Sequence, residues 1–365
     1  MIPKHQTALR LTALCRRFLF QKNRLARHKR RLLPSHFTVA HLLASLTALA
    51  LVGCGGGGSD QSSISTDSTD AFLVSSVPAP SYTGQALRAF EVLNTERARC
   101  GFGQLAQNSQ IDTAADGHSV WMLKNNLQVH DQIPGTAGFT GTTVGDRLQA
   151  AGYPSARTWG EVISPISDWT KNAEAGVRLL FNAPYHGLGM LRGYREVGIG
   201  FRTTRDVDLP GEFLSGKLTI NLATSLAEVG QTAGNNMVRT YPCEGTQGVL
   251  HLLWGESPSP VPDRDLVTRP LGSTVLVAGD INKKLIITAA SMTGPGGVAV
   301  ALRSAVTESN DPNGAPGRAY LLTHEAFISA DAPLATNTAY NVSISGTNGG
   351  MPFSRSFEFT TGAPL

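Results

Sequence analysis

The sequence predicts an α+β chain in two parts. A mixed helix-and-strand region over residues 82–248 is followed, beyond a Pro-rich linker at 249–265, by an all-β sandwich over 266–365. Three observations carry this. In the first region apolar residues recur at helical spacing early and at strand spacing late, so helices precede strands within one layered unit. Pro258, Pro260 and Pro262 crowd one short stretch, the composition of a stiff linker. Beyond it, apolar residues alternate with period two between Gly-rich turns.

The elements follow in order. Leu87, Phe90 and Leu93 share one face of a helix expected over 84–99. A second helix is expected over 109–126, with Ser109 as N-cap and Ile111, Ala115 and Met122 as its stripe; His118 falls on that core side. A third covers about 143–151 and stops at Gly152, and a fourth runs from about Thr170 to Phe181, before Pro184. Residues 197–203, 218–222 and 248–254 read as strands. In the last region Tyr340, Val342 and Ile344 alternate, as do Phe353, Phe357 and Phe359, with Arg355 interrupting. Turns at Pro295, at Asp311 to Gly314 and at Asn348 to Gly350 suggest a sandwich of about 100 residues. Leu334 and Tyr340 resemble the tyrosine corner of fibronectin-type and immunoglobulin-like modules.

The N-terminus has its own logic. Ten Lys and Arg, and no acid, precede Phe37; an apolar run from Thr38 to Leu51 follows, shorter than the roughly 20 residues of a spanning helix. The run ends in Leu51, Val52, Gly53 and Cys54, which resembles the lipobox of bacterial lipoproteins. That resemblance implies a signal peptide over 1–53, palmitate-type acylation of Cys54 and membrane anchoring, with a flexible tether over 54–81. Gly55 rather than Asp after the Cys leans the sorting toward the outer membrane. Without the leader, 21 Lys and Arg face 27 Asp and Glu, so the remainder is acidic although the whole chain is +4. The basic cluster lies in the segment that is cut away, so nucleic acid is not an expected partner.

Cys15 and Cys54 belong to the leader and the lipobox. Cys100 and Cys243 remain, 143 residues apart, and outside the cytosol a disulfide between them is favoured over two unrelated thiols. No C-x-x-C, G-x-S-x-G, H-E-x-x-H, P-loop or dinucleotide fingerprint occurs, which removes the commonest redox, esterase, zinc-protease and nucleotide chemistries.

Five short segments stand in order: Asn94 and Arg97 in N-x-x-R; His118, Ser119 and Met122, leading to His130; Gly160 and Glu161; Pro184 and His186; and Gly198 with Gly200. Together they resemble the CAP superfamily (cysteine-rich secretory, antigen 5 and pathogenesis-related proteins; the SCP domain) in its bacterial form, over about residues 85–245. The resemblance implies an α-β-α sandwich whose cleft holds His130, Glu161 and His186. Two imidazoles and a carboxylate suit a zinc-type ion with an open position, and Glu161 would then be the general base of a metal-assisted hydrolase. The same trio could equally form a hydrogen-bonded cluster without metal. Three departures stand against the hydrolase. Val162 follows Glu161 where the family has Asn, Gly187 follows His186 where bacterial members have Arg, and no residue matches the family's second Glu, Glu174 lying about two turns early. The leading expectation is a non-enzymatic, envelope-anchored module for a small amphipathic ligand or a protein partner. His251 and His324 are expected at the surface or in packing, Trp121 and Trp169 in packing, and Asn94 and Arg97 in holding the first helix to its neighbours.

Overall fold

Helix α1, Gly84–Arg99, buries Ala89, Phe90, Val92 and Leu93 on the face the sequence marks. The computed structural model describes residues 72–167, 172–209, 215–234, 236–315 and 319–363. The lipobox, the leader and Trp169 lie outside them. After β1 (Ala106–Gln107) comes α2, Ser109–Lys124. Asn108, not Ser109, caps it, accepting from the amides of Gln110 and Ile111. Helix α3 is Val144–Ala150, opened by a reciprocal capping box between Thr143 and Asp146. Strand β2, Ala156–Ile166, precedes α4 (Ala173–Asn182) and α5 (Pro184–Leu191). Pro184 stops the fourth helix as expected, yet it also opens α5, because Pro fits the first helical position. Strands β3 (Glu196–Thr203) and β4 (Gly216–Ser225) complete the first sheet.

That sheet has the order β1-β3-β4-β2, and its two faces are set by strand parity. Val162, Ile166, Val197, Ile199, Leu218, Ile220 and Leu222 share a core with α1, α4 and α5. The opposite parity meets α2 and α3: Ala223 packs with Ile111 and Leu148, and Ile163 with Met122. Helices thus cover both faces, the layering expected from the sequence. Gly198 and Gly200 allow it, since a Cβ on either would stand within 2.4 Å of the α2 backbone at Ile111 or Ala115. Arg97 is fully buried and donates to the carbonyls of Phe102, Gly103, Met190 and Arg192, with no carboxylate partner among the described residues. Burial, then the charge of Arg239, pushes its guanidinium down to about 9. Asn94 exchanges two hydrogen bonds with the Leu105 backbone.

The C-terminal part forms two more four-stranded sheets. One has the order β5-β7-β10-β9, from Arg239–Tyr241, Thr274–Ala278, Glu325–Ser329 and Val306–Thr307. The other is β6-β12-β11-β8, from Thr246–Val249, Met351–Thr361, Ala339–Asn348 and Leu285–Thr293. Val275, Val277 and Ile328 of one sheet share a core with Tyr340, Val342, Ile344, Phe357 and Phe359 of the other. The Asn348 turn closes β11 onto β12 through Gly349 and Gly350, both at positive φ, as a two-residue hairpin requires. The Tyr340 hydroxyl accepts from the Ala335 amide at 2.9 Å, a local corner as the Leu334–Tyr340 spacing suggests.

Three expectations change here. The boundary at 248 falls inside β6, and β5 pairs antiparallel with β7, so residues 239–249 belong to the C-terminal sheets. Residues 250–254 do not continue a strand, apart from a bridge between Leu253 and Leu271. The Pro-rich stretch is no free spacer either: Val261 and Leu266 pack with Ala183, Leu253 and Leu271. Cys100 and Cys243 have their sulfurs 2.09 Å apart, at disulfide distance, joining the end of α1 to the β5–β6 turn. No helix of the described residues is long and apolar enough to cross a membrane.

Candidate functional site

Glu161 lies midway along β2 on the face toward α2, its side chain 1% exposed. A carboxylate so buried must be neutralised or hydrogen-bonded. Arg147 of α3 does the first, its Nη2 donating to Oε2 at 2.7 Å. His130, in the loop after α2, donates from Nδ1 to Oε1 at 3.0 Å. Arg147 also donates from Nη1 to the carbonyls of His130 and Thr142, so one guanidinium holds both the carboxylate and the loop that carries the imidazole. Burial acts to raise the Glu161 carboxyl. The His130 hydrogen bond and the His118 and Arg147 charges outweigh it and hold the group below the usual range.

His118 completes the cluster from beneath. It is fully buried, with Nε2 3.0 Å from the Val129 carbonyl and 3.6 Å from Glu161 Oε1. Nε2 must carry the proton to bond a carbonyl. Nδ1 is then an acceptor, and Gln132 meets it at 3.1 Å with its amide nitrogen. The Gln132 orientation is fixed in turn because its Oε1 accepts from the Thr140 amide at 2.7 Å. The network therefore selects one neutral tautomer. Burial pushes the ring down to about 4 despite Glu161, so at neutral pH the 3.6 Å approach joins a neutral ring to a carboxylate. Asn221, opposite Glu161 in the strand register, is fully buried, and neither atom of its amide finds a hydrogen-bond partner among the described residues.

The arrangement leaves one solvent-accessible edge. The His130 side chain is 47% exposed while Glu161 and Arg147 behind it are closed off. Val129, Ile133 and Phe139 in the same loop, and Trp159 two residues before Glu161 on β2, are exposed apolar side chains. Trp159 has the strand parity of Glu161, and its indole nitrogen is next to Gly145 on the first turn of α3. The site is thus a buried, hydrogen-bonded polar cluster with one accessible imidazole, on a loop and a strand that also carry exposed apolar side chains.

His186 does not join it. It sits on α5, which packs on the other face of the sheet, and its Nδ1 meets Glu256 Oε1 at 2.7 Å. Strand parity is the reason: Glu161 faces α2 while its neighbour Val162 faces α5. His130, Glu161 and His186 therefore form no common metal-ligand set, and no group of three His, Cys, Asp or Glu among the described residues is placed to hold a metal ion. The family departures acquire physical causes. Val162 is buried in the α1–α4–α5 core, where an Asn amide would need a partner. Gly187 lies under the C-terminal sheet, and a Cβ there would meet Leu276 Cδ1 at 2.5 Å. Glu174 is at the surface, paired with Arg88 and Arg178.

The sequence reading missed Arg147, Gln132, Glu256 and Trp159; it placed His118 on the core side of α2, and the structure buries and hydrogen-bonds it there, 3.6 Å from Glu161. Arg147 lies five residues after Thr142 on a short capped helix, and a lone Arg there carries no motif. His324 is buried and His251 half-buried, neither within the cluster. Trp121 is buried, stacked on His118 with ring centroids 5.6 Å apart.

No family model matches the chain, and no curated protein matches it. Among solved structures it is similar to an extracellular protein containing a SCP domain from Bacillus anthracis str. Ames, with 26% identity over 39% of this chain and 41% of that one and a TM-score of 0.31. The chain spans less than half of that protein's length.

Proposed function

We propose that the chain is an envelope-anchored binding module of CAP type, held through Cys54, that takes a small amphipathic ligand at the His130 edge. The observation that carries this is the half-exposed His130 on a buried, already neutralised Glu161–Arg147 pair, with exposed Val129 and Ile133 in the His130 loop and exposed Trp159 two residues before Glu161 on β2. A polar head accepts or donates at the imidazole while an apolar body covers the rim, the usual division of labour in ligand sites. Turnover is disfavoured by chemistry. A general base should titrate near working pH, whereas Glu161 is held low, and its oxygens are already engaged by Arg147 and His130.

Isothermal calorimetry on the full chain, with dodecanoate as probe, tests the reading. Saturable binding is expected, weakened roughly tenfold by Trp159→Ala or His130→Ala. His186→Ala should leave it unchanged. No saturable heat, or equal loss from all three variants, would overturn the cleft assignment. Zinc titrated in the same cell separates the hydrolase reading: a one-to-one site lost in His130→Ala would favour it.

A further inference from the structure

A second surface lies at the end of the first sheet, where β2 begins and β4 ends. Ala156 pairs with Ser225, and the turn that follows is held rigidly. The Leu226 amide donates to the Ser155 carbonyl at 2.9 Å. Arg157 clamps the turn's backbone, donating to the carbonyls of Glu228 and Leu226, each at 2.7 Å. Glu228 also pairs with Arg195 at 3.0 Å, and the Arg195 guanidinium lies 4.7 Å from the centre of the Phe72 ring. Phe72 and Thr232 exchange both backbone hydrogen bonds. Leu226 and Val229 on this turn, and Phe72 linked to it through the Arg195–Glu228 pair, are therefore held in place with side chains exposed by 55%, 64% and 41%. A lone exposed Leu needs no explanation; several exposed apolar side chains held at one end of a sheet point to an interaction surface.

The chain itself indicates what covers the patch. Phe72 is where the described residues begin, and seventeen residues lie between it and Cys54. A stretch of that length reaches about 60 Å at most even when fully extended. A lipid on Cys54 would therefore attach the molecule through this edge and hold the edge within that reach of the bilayer. The charge has the right sign: Arg157 is exposed and has no carboxylate partner among the described residues. An interfacial surface of apolar side chains flanked by Arg is the chemistry that enters the headgroup boundary of anionic lipid.

We infer that the Leu226–Val229 turn with Phe72 docks on an anionic bilayer surface, with Arg157 toward the lipid phosphates. Trp159, two residues beyond Arg157 on β2, then places the His130 edge close to the lipid. The inference uses the anchoring at Cys54, and its test keeps the two apart. Full-length variants Leu226→Cys, Val229→Cys and Val298→Cys carry an environment-sensitive dye and are mixed with or reconstituted into vesicles of phosphatidylglycerol and phosphatidylethanolamine holding a spin-labelled phospholipid. Quenching at 226 and 229 should exceed that at 298 at least about threefold, and should fall when phosphatidylcholine replaces the anionic lipid or in Arg157→Gln. Equal quenching at the three positions overturns docking whatever the state of Cys54. The mass of the N-terminal peptide reports the anchor separately: unmodified Cys54 with strong quenching at 226 removes the anchor and keeps the docking surface.

Discussion

At the scale of single residues, the Arg147–Glu161 pair controls the site. Both side chains are closed to solvent, so removing either leaves a buried charge. Arg147→Met should destabilise the fold by about 3–5 kcal/mol, and the double variant Arg147→Met/Glu161→Leu should recover most of that loss. Urea melts of the three proteins check this; a double variant no better than the single would mean that the pair does more than neutralise itself. His118 gives a second prediction, about pH. Its folded pKa of about 4 lies below the ordinary 6.5, so the unfolded chain binds the extra proton. The stability it contributes is complete above pH 6.5 and is lost as pH falls toward 4, by roughly 3 kcal/mol in all. Glu161, also lowered, adds its loss only below the ordinary carboxylate range. His118→Gln should therefore flatten the stability profile between pH 6.5 and 4 while leaving the acid limb. Parallel profiles for the two proteins would place the slope elsewhere. His130 and Glu161 were legible as site residues because motif order marks them. Arg147 was not, since its role arises only when α3 folds over β2.

At the scale of elements, helical and strand periodicity located α1, α2, β3, β4 and the β11–β12 hairpin to within a few residues. Strand β2 went unread, and with it the parity that separates Glu161 from His186. Its residues Trp159, Gly160 and Glu161 show no plain alternation, because the strand is buried on both faces only over its second half. Helix α5 was missed for a different reason: Gly187 and Gly189 suppress helical propensity, and only packing supports the helix. That packing makes a prediction at this scale. Gly to Ala inside a helix is ordinarily favourable. At Gly187 a Cβ would meet not only Leu276 Cδ1 but the Phe181 carbonyl at 2.6 Å, and backbone cannot swing aside. Gly187→Ala should thus destabilise by about 1–3 kcal/mol, and Leu276→Ala should relieve it only in part. A neutral Gly187→Ala in denaturant melts would show that α5 can shift away from β7.

At the scale of the whole molecule, the helix-covered sheet and the C-terminal sheets share one core. Leu276, Leu321 and Phe327 lie in the same cluster as Phe181, Tyr185 and Leu188. Phe181 stacks on Tyr241 at 4.3 Å, and Arg192, at the end of α5, makes a bidentate pair with buried Glu325 of β10. Pro-rich composition suggested a spacer between independent domains, but composition reports backbone stiffness, not what the stiff segment packs against. Independent domains would melt in two steps. With a shared core, loss of either half exposes the other's apolar face, so a single transition is expected, with far-UV and near-UV signals coincident. Leu276→Ala should shift that one transition by about 2–5 kcal/mol without splitting it. The Cys100–Cys243 link acts at the same level, since it joins α1 to the β5–β6 turn across 143 residues. Cys100→Ala/Cys243→Ala should lower stability by about 2–5 kcal/mol, through a looser unfolded chain, and still leave one transition. Two separated transitions in either variant would mean that the halves fold alone and meet only afterwards; one transition in both makes the His130 edge and the C-terminal sheets a single mechanical body.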